Sequence, residues 1–366
     1  MPQPVVEATG APDRYAMAKR QFLMKGVALA TVSGMAYGLY SAFVTRAMGQ
    51  GVWANWYDGK AMLSAFAIVY ILGVLGSGIN DLVSAVWAIG IAVARGKLVD
   101  IWRTMRTKPG LVIAVCAVIG GPIASAAYII ALQLAGSTVA PITALCPAIG
   151  ALLSRLLFKQ KLTRRMLFGI AICLVAATMI AWSSFQGGTS SRAVLGCAIA
   201  FVAALGWAVE GTVAGVSTAV VDFQVGIAIR QATSGMVNLA VVFPLVCLVG
   251  GDLGLAPHLV QAALTSASAM PFFLVSGLFA VGAYGLWYKG NSMCGTALGM
   301  ACNGAYSFWV PFFCWLVLGV VFGQPGWAPP PIVWTAAVVM AVGIVVIAVN
   351  PLARWCSRPR RAGMAA

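Results

Sequence analysis

Residues 131–182 read ALQLAGSTVAPITALCPAIGALLSRLLFKQKLTRRMLFGIAICLVAATMIAW. This stretch holds two long apolar segments, 136–158 and 164–183, joined by a short turn with five basic residues between positions 155 and 165. A helix needs about 20 mostly apolar residues to cross the hydrocarbon core of a membrane. The stretch therefore predicts two consecutive membrane-spanning helices with a basic loop between them.

The same alternation of apolar segments and short loops runs along the whole chain of 366 residues. It predicts an all-α polytopic membrane protein with ten transmembrane helices. We place the spans near 22–45, 61–95, 109–132, 136–158, 164–183, 193–214, 224–249, 270–289, 295–322 and 332–350.

The positive charge predicts the orientation of these spans. Basic residues crowd the N-terminal tail, the loops at 95–108 and 155–165, and the C-terminal tail, whereas the loops at 184–192, 250–269 and 323–331 carry only Arg192. Lys and Arg concentrate on the cytoplasmic side of membrane proteins. We therefore expect both termini in the cytoplasm and the protein in the cytoplasmic (inner) membrane, with residues 1–21 and 351–366 as polar tails, the first of them disordered.

Composition separates this chain from several classes of protein. It is 61% hydrophobic and only 8% charged, which is unlike a soluble domain of this length. The net charge of +15 does not indicate nucleic-acid binding, because the basic residues flank apolar segments; their partner is membrane lipid. The nine cysteines show no disulfide framework and suit core packing.

One apolar segment, 61–95, is far longer than a single crossing requires. Two crossings would place the strongly basic 95–108 loop on the same side as the weakly basic 46–60 loop. We therefore expect one net crossing, with the excess as a kinked, interfacial or re-entrant segment. Asn80 and Asp81 follow Gly76-Ser77-Gly78 here, and they read as a polar kink that faces protein or water.

The chain also shows a weak internal repeat. Residues 128–147 align with 284–303, and Tyr37-Gly38 aligns with Trp207-Ala208. Two copies of five helices each must lie in opposite orientation in the membrane, because five is an odd number. The sequence thus predicts two inverted five-helix repeats, at 22–184 and 193–350, with a substrate site between them near the midplane.

The opening stretch resembles the end of an EamA-type repeat of the drug/metabolite transporter superfamily. An Ala131-Leu132 pair ends one helix, a helix with a central Pro147 follows, and after the basic turn the next helix opens with Gly169. Gln160 stands where the family has an acidic residue, and Asn303 replaces the proline in the second copy. The resemblance implies a ten-helix transporter of small organic solutes, with its cavity on the first, sixth, eighth and ninth helices.

Polar residues within the spans are the candidate functional groups, because they are costly in lipid. Glu210 and Arg230 lie at similar depth in the sixth and seventh helices, so an ion pair is plausible. Either the pair carries function, with Glu210 exchanging a proton, or it locks two helices together. Asn303 and Ser307 lie about one turn apart on the ninth helix and are expected to share a face, at a midplane site or in an interhelical hydrogen bond.

Aromatic residues supply the rest of the expected substrate site: Tyr37, Tyr40, Trp207, Tyr284 and Trp287. Aromatic faces favour planar or cationic organic substrates. The alternative for each is ordinary packing or contact with lipid.

No enzyme motif, cofactor motif or metal site is apparent: the single histidine, His258, excludes an HExxH zinc site, and no GxSxG element is present. We predict a secondary transporter of a small organic solute (a metabolite, amino acid or drug-like compound), exporting it in exchange for protons. An uncoupled facilitator or uptake permease, and a non-transport membrane scaffold or receptor, are the alternatives. The sequence leaves open whether two copies form a homodimer.

Overall fold

The computed structural model describes residues 11–59, 63–159, 163–186, 191–218 and 220–348. All regular structure in these ranges is helical. Apolar segments behave this way in lipid because a helix satisfies its backbone hydrogen bonds internally, where no water can do so.

The longer elements run in the order α1 to α17. Their bounds are α1 Ala11–Met48, α2 Gly51–Tyr57, α3 Leu72–Ala94, α4 Leu98–Met105, α5 Lys108–Val118, α6 Ala126–Ala135, α7 Val139–Thr143, α8 Cys146–Phe158, α9 Arg164–Gln186, α10 Ser191–Thr218, α11 Phe223–Val237, α12 Phe243–Val249, α13 Ala256–Leu264, α14 Met270–Cys294, α15 Thr296–Asn303, α16 Tyr306–Phe313 and α17 Pro331–Ala348. Four π-helical segments, Ala67–Ile71, Ile119–Ser125, Asn238–Val242 and Cys314–Val321, join several of them into longer rods.

Seven helical rods in the described part of the chain are long and apolar enough to cross a membrane. Their bounds are Met17–Met48, Ala67–Ala94, Lys108–Thr143, Ser191–Gly215, Phe223–Val249, Met270–Cys294 and Leu298–Val321. The protein is therefore an all-helical, multi-pass membrane protein. The rod Lys108–Thr143 covers the third expected span and the start of the fourth, and Cys146–Leu157 and Pro331–Ile347 are shorter apolar helices.

The N-terminal tail departs from expectation. Helix α1 begins at Ala11, so residues 11–21 extend the first span instead of forming a disordered tail. The physical reason is that this segment contains Ala, Met, Lys, Arg and Gln, all strong helix formers, directly ahead of a long apolar helix. Residues 1–10 and the expected tail at 351–366 lie outside the described residues.

The overlong segment at 61–95 forms one rod, Ala67–Ala94, which begins with a π-helical turn at Ala67–Ile71. Its 28 residues exceed the length of a minimal crossing. Gly76-Ser77-Gly78 lies within helix α3, which is uninterrupted from Leu72 to Ala94. Of the two environments expected for Asn80 and Asp81, both side chains have the first: they face protein and are buried inside the helix bundle.

Two helices are interrupted near their centres. A two-residue turn at 144–145 separates α7 from α8, and an identical turn at 304–305 separates α15 from α16. The second turn lies between Asn303, which ends α15, and Ser307, which belongs to α16. The rod Leu298–Val321 runs through this turn, because Gly304 and Ala305 keep right-handed helical backbone angles.

Polar contacts join the rod ends in two groups. At one end Lys97, just beyond α3, forms an ion pair of 2.8 Å with Asp222 before α11. At the other end Ser64 donates a hydrogen bond of 3.0 Å to Asp252, which follows α12. The loops of Lys97 and Asp222 therefore lie together at one end of the bundle, and those of Ser64 and Asp252 lie together at the other.

Close helix packing around α1 brings the central side chains together. A side chain at Gly34 or Gly38 would overlap the backbone of Asn303 or Trp309. These two glycines thus let α1 lie directly against α15 and α16. On its other side α1 packs along α14. There Ala30 approaches the backbone of Gly290 so closely that a side chain at Gly290 would overlap it.

Candidate functional site

A small internal cavity lies where α1, α8, α10, α14, α15 and α16 converge. Its lining consists of Tyr37, Cys146, Trp207, Ala283, Tyr284, Trp287, Met300, Asn303 and Tyr306. The volume is about 30 Å³. That is room for about two water molecules, against several hundred Å³ in common small-molecule sites. An organic solute could enter only after side chains of the wall had moved, so this is a closed form of the cavity.

The cavity collects most of the residues that the sequence predicted for a substrate site. Tyr37, Trp207, Tyr284, Trp287 and Asn303 all line it. Two others do not. Tyr40 is buried beside Tyr37 and Tyr128, and Ser307 is fully buried away from the cavity wall.

An aromatic cluster forms one side of this cavity, and Tyr37 lies at its centre. The Tyr37 ring centroid lies 4.8 to 6.2 Å from the centroids of Tyr40, Tyr128, Trp207, Tyr284 and Tyr306. Aromatic pairs at these distances attract one another. The six rings come from five separate helices, so any widening of the cavity must separate some of them.

Several polar atoms of the cavity wall lack partners. Trp287 Nε1 and Asn303 Oδ1 are both buried. Within the described part of the chain, the indole N–H has no acceptor and the amide oxygen has no donor. The hydroxyls of Tyr37 and Tyr306 face Tyr128 and Thr143 without forming a hydrogen bond of ordinary geometry. Leaving such groups buried and unpaired costs about 1–3 kcal/mol each. A bound solute or water would relieve that cost.

Glu210 and Arg230 form a fully buried ion pair behind the aromatic wall. Arg230 Nε donates to Glu210 Oε1 at 2.8 Å, and Nη2 donates to Oε2 at 3.2 Å. Tyr288 Oη donates a third bond to Oε1 at 3.2 Å. The guanidinium carbon also lies 3.6 Å from the ring centroid of Tyr284, whose ring thus separates the pair from the cavity.

The π-helical segment Ile119–Ser125 connects the ion pair to the aromatic cluster. The carbonyl of Gly120 accepts hydrogen bonds from Trp207 Nε1 at 3.0 Å, Arg230 Nη2 at 3.3 Å and Ser125 Oγ at 2.9 Å. A side chain at Gly120 would overlap the Glu210 carboxylate, and one at Gly121 would overlap Ser234 Oγ. This wide helical turn, which also contains Pro122, thus makes room for the charged groups.

A second buried polar group extends from the ion pair to α3. Ser234 Oγ donates a hydrogen bond to Asp81 Oδ2, and Gln231 Nε2 donates one to Ser84 Oγ. Gln231 Oε1 in turn accepts from Arg230 Nη1. Glu210, Arg230, Gln231 and Ser234 are wholly buried, and Asp81 is 2% exposed. We name Asp81, Glu210, Arg230, Gln231 and Ser234 the charged cluster.

Outside the spans, the ion pair of Lys97 with Asp222 shows a clear electrostatic effect. Partial burial by itself would raise the pKa of Asp222. Hydrogen bonds from Lys97 Nζ and from the backbone N–H groups of Gln224 and Val225, with the Lys97 charge, outweigh burial and hold the pKa below its ordinary value. The two backbone bonds also cap the N-terminus of α11.

Sequence reasoning missed Tyr128, Cys146 and Met300, which join the cavity or its aromatic cluster. The aromatic pattern of the eighth and ninth helices did include Tyr288, which contacts the ion pair, and Tyr306, which lines the cavity. Tyr128 was visible as a tyrosine in an apolar span, but nothing local fixed which way it faces. Among the described residues there is no group of three or more His, Cys, Asp or Glu side chains that could hold a metal ion.

Comparisons with known proteins add the fold but no activity. No family model matches the chain. It is 29% identical over 123 residues to Protein LicB of Haemophilus influenzae (strain ATCC 51907 / DSM 11121 / KW20 / Rd). That alignment covers 33% of this chain, and the chain spans about 40% of the length of that curated relative.

One solved crystal structure of a protein aligns with 90% of this chain and 98% of its own, at a TM-score of 0.50 and 20% sequence identity. At this identity the likeness shows a shared helical fold alone.

Proposed function

We propose that this protein is a secondary transporter of the EamA-type drug/metabolite class, which moves a small organic solute across the cytoplasmic membrane by alternating access. Two inverted five-helix repeats would rock about the central cavity, with both termini in the cytoplasm. The observation that carries the proposal is the cavity itself. Unpartnered buried polar atoms face a space between helices from both halves of the chain, and such groups suit a ligand better than a packed core.

The chemistry of the wall supports a solute with a planar or cationic organic group. Five of the nine residues that line the cavity are tyrosine or tryptophan: Tyr37, Trp207, Tyr284, Trp287 and Tyr306. None of the lining residues carries a charge. A cation would therefore be held by ring faces, and the Trp287 indole N–H and the Asn303 amide oxygen would orient its polar atoms.

The closed cavity fits an intermediate of the alternating-access cycle. Interrupted helices mark substrate sites in many transporters, because the break allows one half of a helix to tilt without the other. Here Cys146 follows one break, and Asn303 and Tyr306 flank the other. Gly304, at the second break, lies against Pro147, next to the first. Movement at the two turns would open the wall on one side or the other.

Export in exchange for protons is our proposed mode, and the sequence suggests Glu210 as one candidate for the coupling group. Uncoupled facilitation or uptake, in which Glu210 is structural, is the second candidate. The three hydrogen bonds that Glu210 accepts from Arg230 and Tyr288 favour a structural role for this carboxylate. The Glu210→Gln variant tests whether Glu210 is the coupling group. Unchanged pH dependence of transport would remove Glu210 from the coupling role.

Counterflow in proteoliposomes tests the transport proposal. Vesicles are loaded with one unlabelled solute from a panel of amino acids, nucleosides, sugars and organic amines, chosen by a growth screen of an overexpressing strain. Uptake of the labelled solute is then followed. We expect counterflow for at least one solute, a several-fold loss in Asn303→Ala, and no loss in Trp102→Phe, whose side chain is 63% exposed on α4.

A protein that is folded and monodisperse yet exchanges none of these solutes would refute transport and favour a membrane scaffold or receptor. A second copy of the chain is not needed for the cavity, since one chain supplies its whole lining. A homodimer therefore enters the proposal only as a possible assembly.

A further inference from the structure

Asp81 lies near the centre of α3 and is 2% exposed, yet it forms no ion pair with any described residue. The hydrogen bond it accepts comes from the hydroxyl of Ser234 on α11. An ionised carboxylate in a protein interior normally has a cationic partner or several donors, because burial without them is very costly. The surroundings of Asp81 thus suit a neutral carboxylic acid better than a carboxylate.

The nearby cation Arg230 uses four of its five N–H groups on other partners. Arg230 donates four hydrogen bonds, two to Glu210 and one each to Gln231 Oε1 and the Gly120 carbonyl, and none of them goes to Asp81. The charged cluster therefore contains two carboxyl groups and one guanidinium. One negative charge would be left uncompensated at the centre of a membrane protein if both carboxyl groups were ionised.

No other helix supplies the missing positive charge. Toward Asp81, α11 presents Arg230, α10 presents Glu210, α1 presents Tyr40 and α14 presents Tyr284. The adjoining segments α6, Asn238–Val242 and α12 contain no charged residue. A proton is the one cation that can reach this position without any rearrangement of the neighbouring side chains.

We propose that Asp81 is the proton-binding site of this protein, and that Glu210 serves as the fixed counter-ion of Arg230. Asp81 would take a proton from water on one side of the membrane, forming the carboxylic O–H bond. It would release the same proton to water on the other side, which leaves the carboxylate. The role of this site in coupling rests on the transport function proposed above, whereas proton binding itself does not.

The position of Asp81 connects it to the cavity without direct contact with a solute. Its neighbour Asn80 accepts a hydrogen bond of 2.7 Å from the Ser276 hydroxyl on α14, and the Tyr40 carbonyl on α1, 3.1 Å from the same oxygen, is the alternative acceptor for its one proton. Its partner Ser234 belongs to α11. Loss of the proton would leave a buried charge that is stabilised by separation of α3 from α11 and entry of water, and this couples proton release to helix movement.

Infrared spectroscopy tests proton binding directly, with the proton as the probe. Wild-type protein in lipid nanodiscs at pH 7 should show the C=O stretch of one buried carboxylic acid. The band should shift when the protein is labelled with ¹³C-aspartate, since Glu210 is a glutamate. It should disappear in Asp81→Asn and persist in Asp252→Asn, which makes the same change at a residue outside the spans.

A band that persists in Asp81→Asn, or that ignores the aspartate label, would overturn the proposal, as would wild-type protein without such a band. If Asp81→Asn does not fold, the label still distinguishes a protonated aspartic acid from protonated Glu210, and a band that ignores the label still refutes the proposal. Transport is scored separately. We expect Asp81→Asn to keep counterflow but to lose pH-gradient-driven accumulation. Wild-type protein without counterflow would refute the transport function alone, and gradient-driven accumulation that survives in Asp81→Asn would refute the coupling role.

Discussion

Replacing Gly120 with alanine should disrupt the buried ion pair without altering any charged residue. A Cβ at this position would overlap Oε2 and Cδ of Glu210 and lie 3.1 Å from Oε1. The overlapping atoms belong to a carboxylate that is fixed by Arg230 on one side and by Tyr288 on the other. Because neither partner has free space around it, the carboxylate must leave its position.

The magnitude follows from the bonds that would be lost. Breaking a buried ion pair costs about 3–5 kcal/mol, since both charges stay buried. Alanine in a helix gains about 0.5–1 kcal/mol over glycine. The net loss is about 2–4 kcal/mol, and at about 2–4 °C per kcal/mol this lowers the Tm by at least about 4 °C.

Thermal unfolding of detergent-solubilised protein at a fixed scan rate measures this effect. Gly90→Ala is the matched control. Gly90 lies in a helix, as Gly120 does, but it is exposed, and a Cβ there meets nothing within 4 Å. Its Tm should equal or exceed that of the wild type. A Gly120→Ala protein whose Tm lies within about 1 °C of that of Gly90→Ala would refute the reasoning. At about 2–4 °C per kcal/mol, that difference corresponds to a destabilisation of less than about 1 kcal/mol by the clash.

Three further outcomes are expected. Arg230→Met and Glu210→Gln should each destabilise the protein by about 3–5 kcal/mol, whereas the double variant should lose clearly less than the sum, because it buries no unpaired charge; additive losses in denaturation measurements would count against the pair. Trp207→Phe removes the 3.0 Å bond to the Gly120 carbonyl and should cost about 1 kcal/mol, against no change for Trp102→Phe in the same Tm assay. The pKa of Asp222 is lower in the folded protein than in the unfolded chain, where the ordinary value is 3.8. Its contribution to stability is therefore present above that ordinary value and is lost as the pH falls through the lowered pKa of the folded state. The Tm difference between wild type and Asp222→Asn should shrink between about pH 5 and about pH 3, and a constant difference would contradict this assignment.

The membrane-spanning rods follow from local physics, and the sequence predicts them well. Length and apolarity place most of the rods. Equal depth on neighbouring helices also brings Glu210 and Arg230 together as suggested. Each of these features depends on composition or on position along one helix.

The details that depend on tertiary contacts could not be read from the chain. Asp81 was expected to face protein or water, and its partner is Ser234 on α11, 153 residues further along the chain. Asn303 lines the cavity whereas Ser307, beyond the turn at 304–305, does not. Tyr128 faces Tyr37 through helix packing that no periodicity in α6 reveals.

The ion pair between α10 and α11 also bears on how the chain enters the membrane during synthesis. An arginine in an inserting segment opposes its release into lipid, by about 2.5–3.5 kcal/mol when it lies at the centre. Arg230 lies about two turns into the rod Phe223–Val249. Glu210 precedes Arg230 by 20 residues, on the immediately preceding helix. The nascent protein therefore meets the acid before the base, and a helical hairpin that neutralises both can partition into the bilayer as one unit. Biogenesis of this region is then cooperative, with α10 acting as an insertion partner for α11.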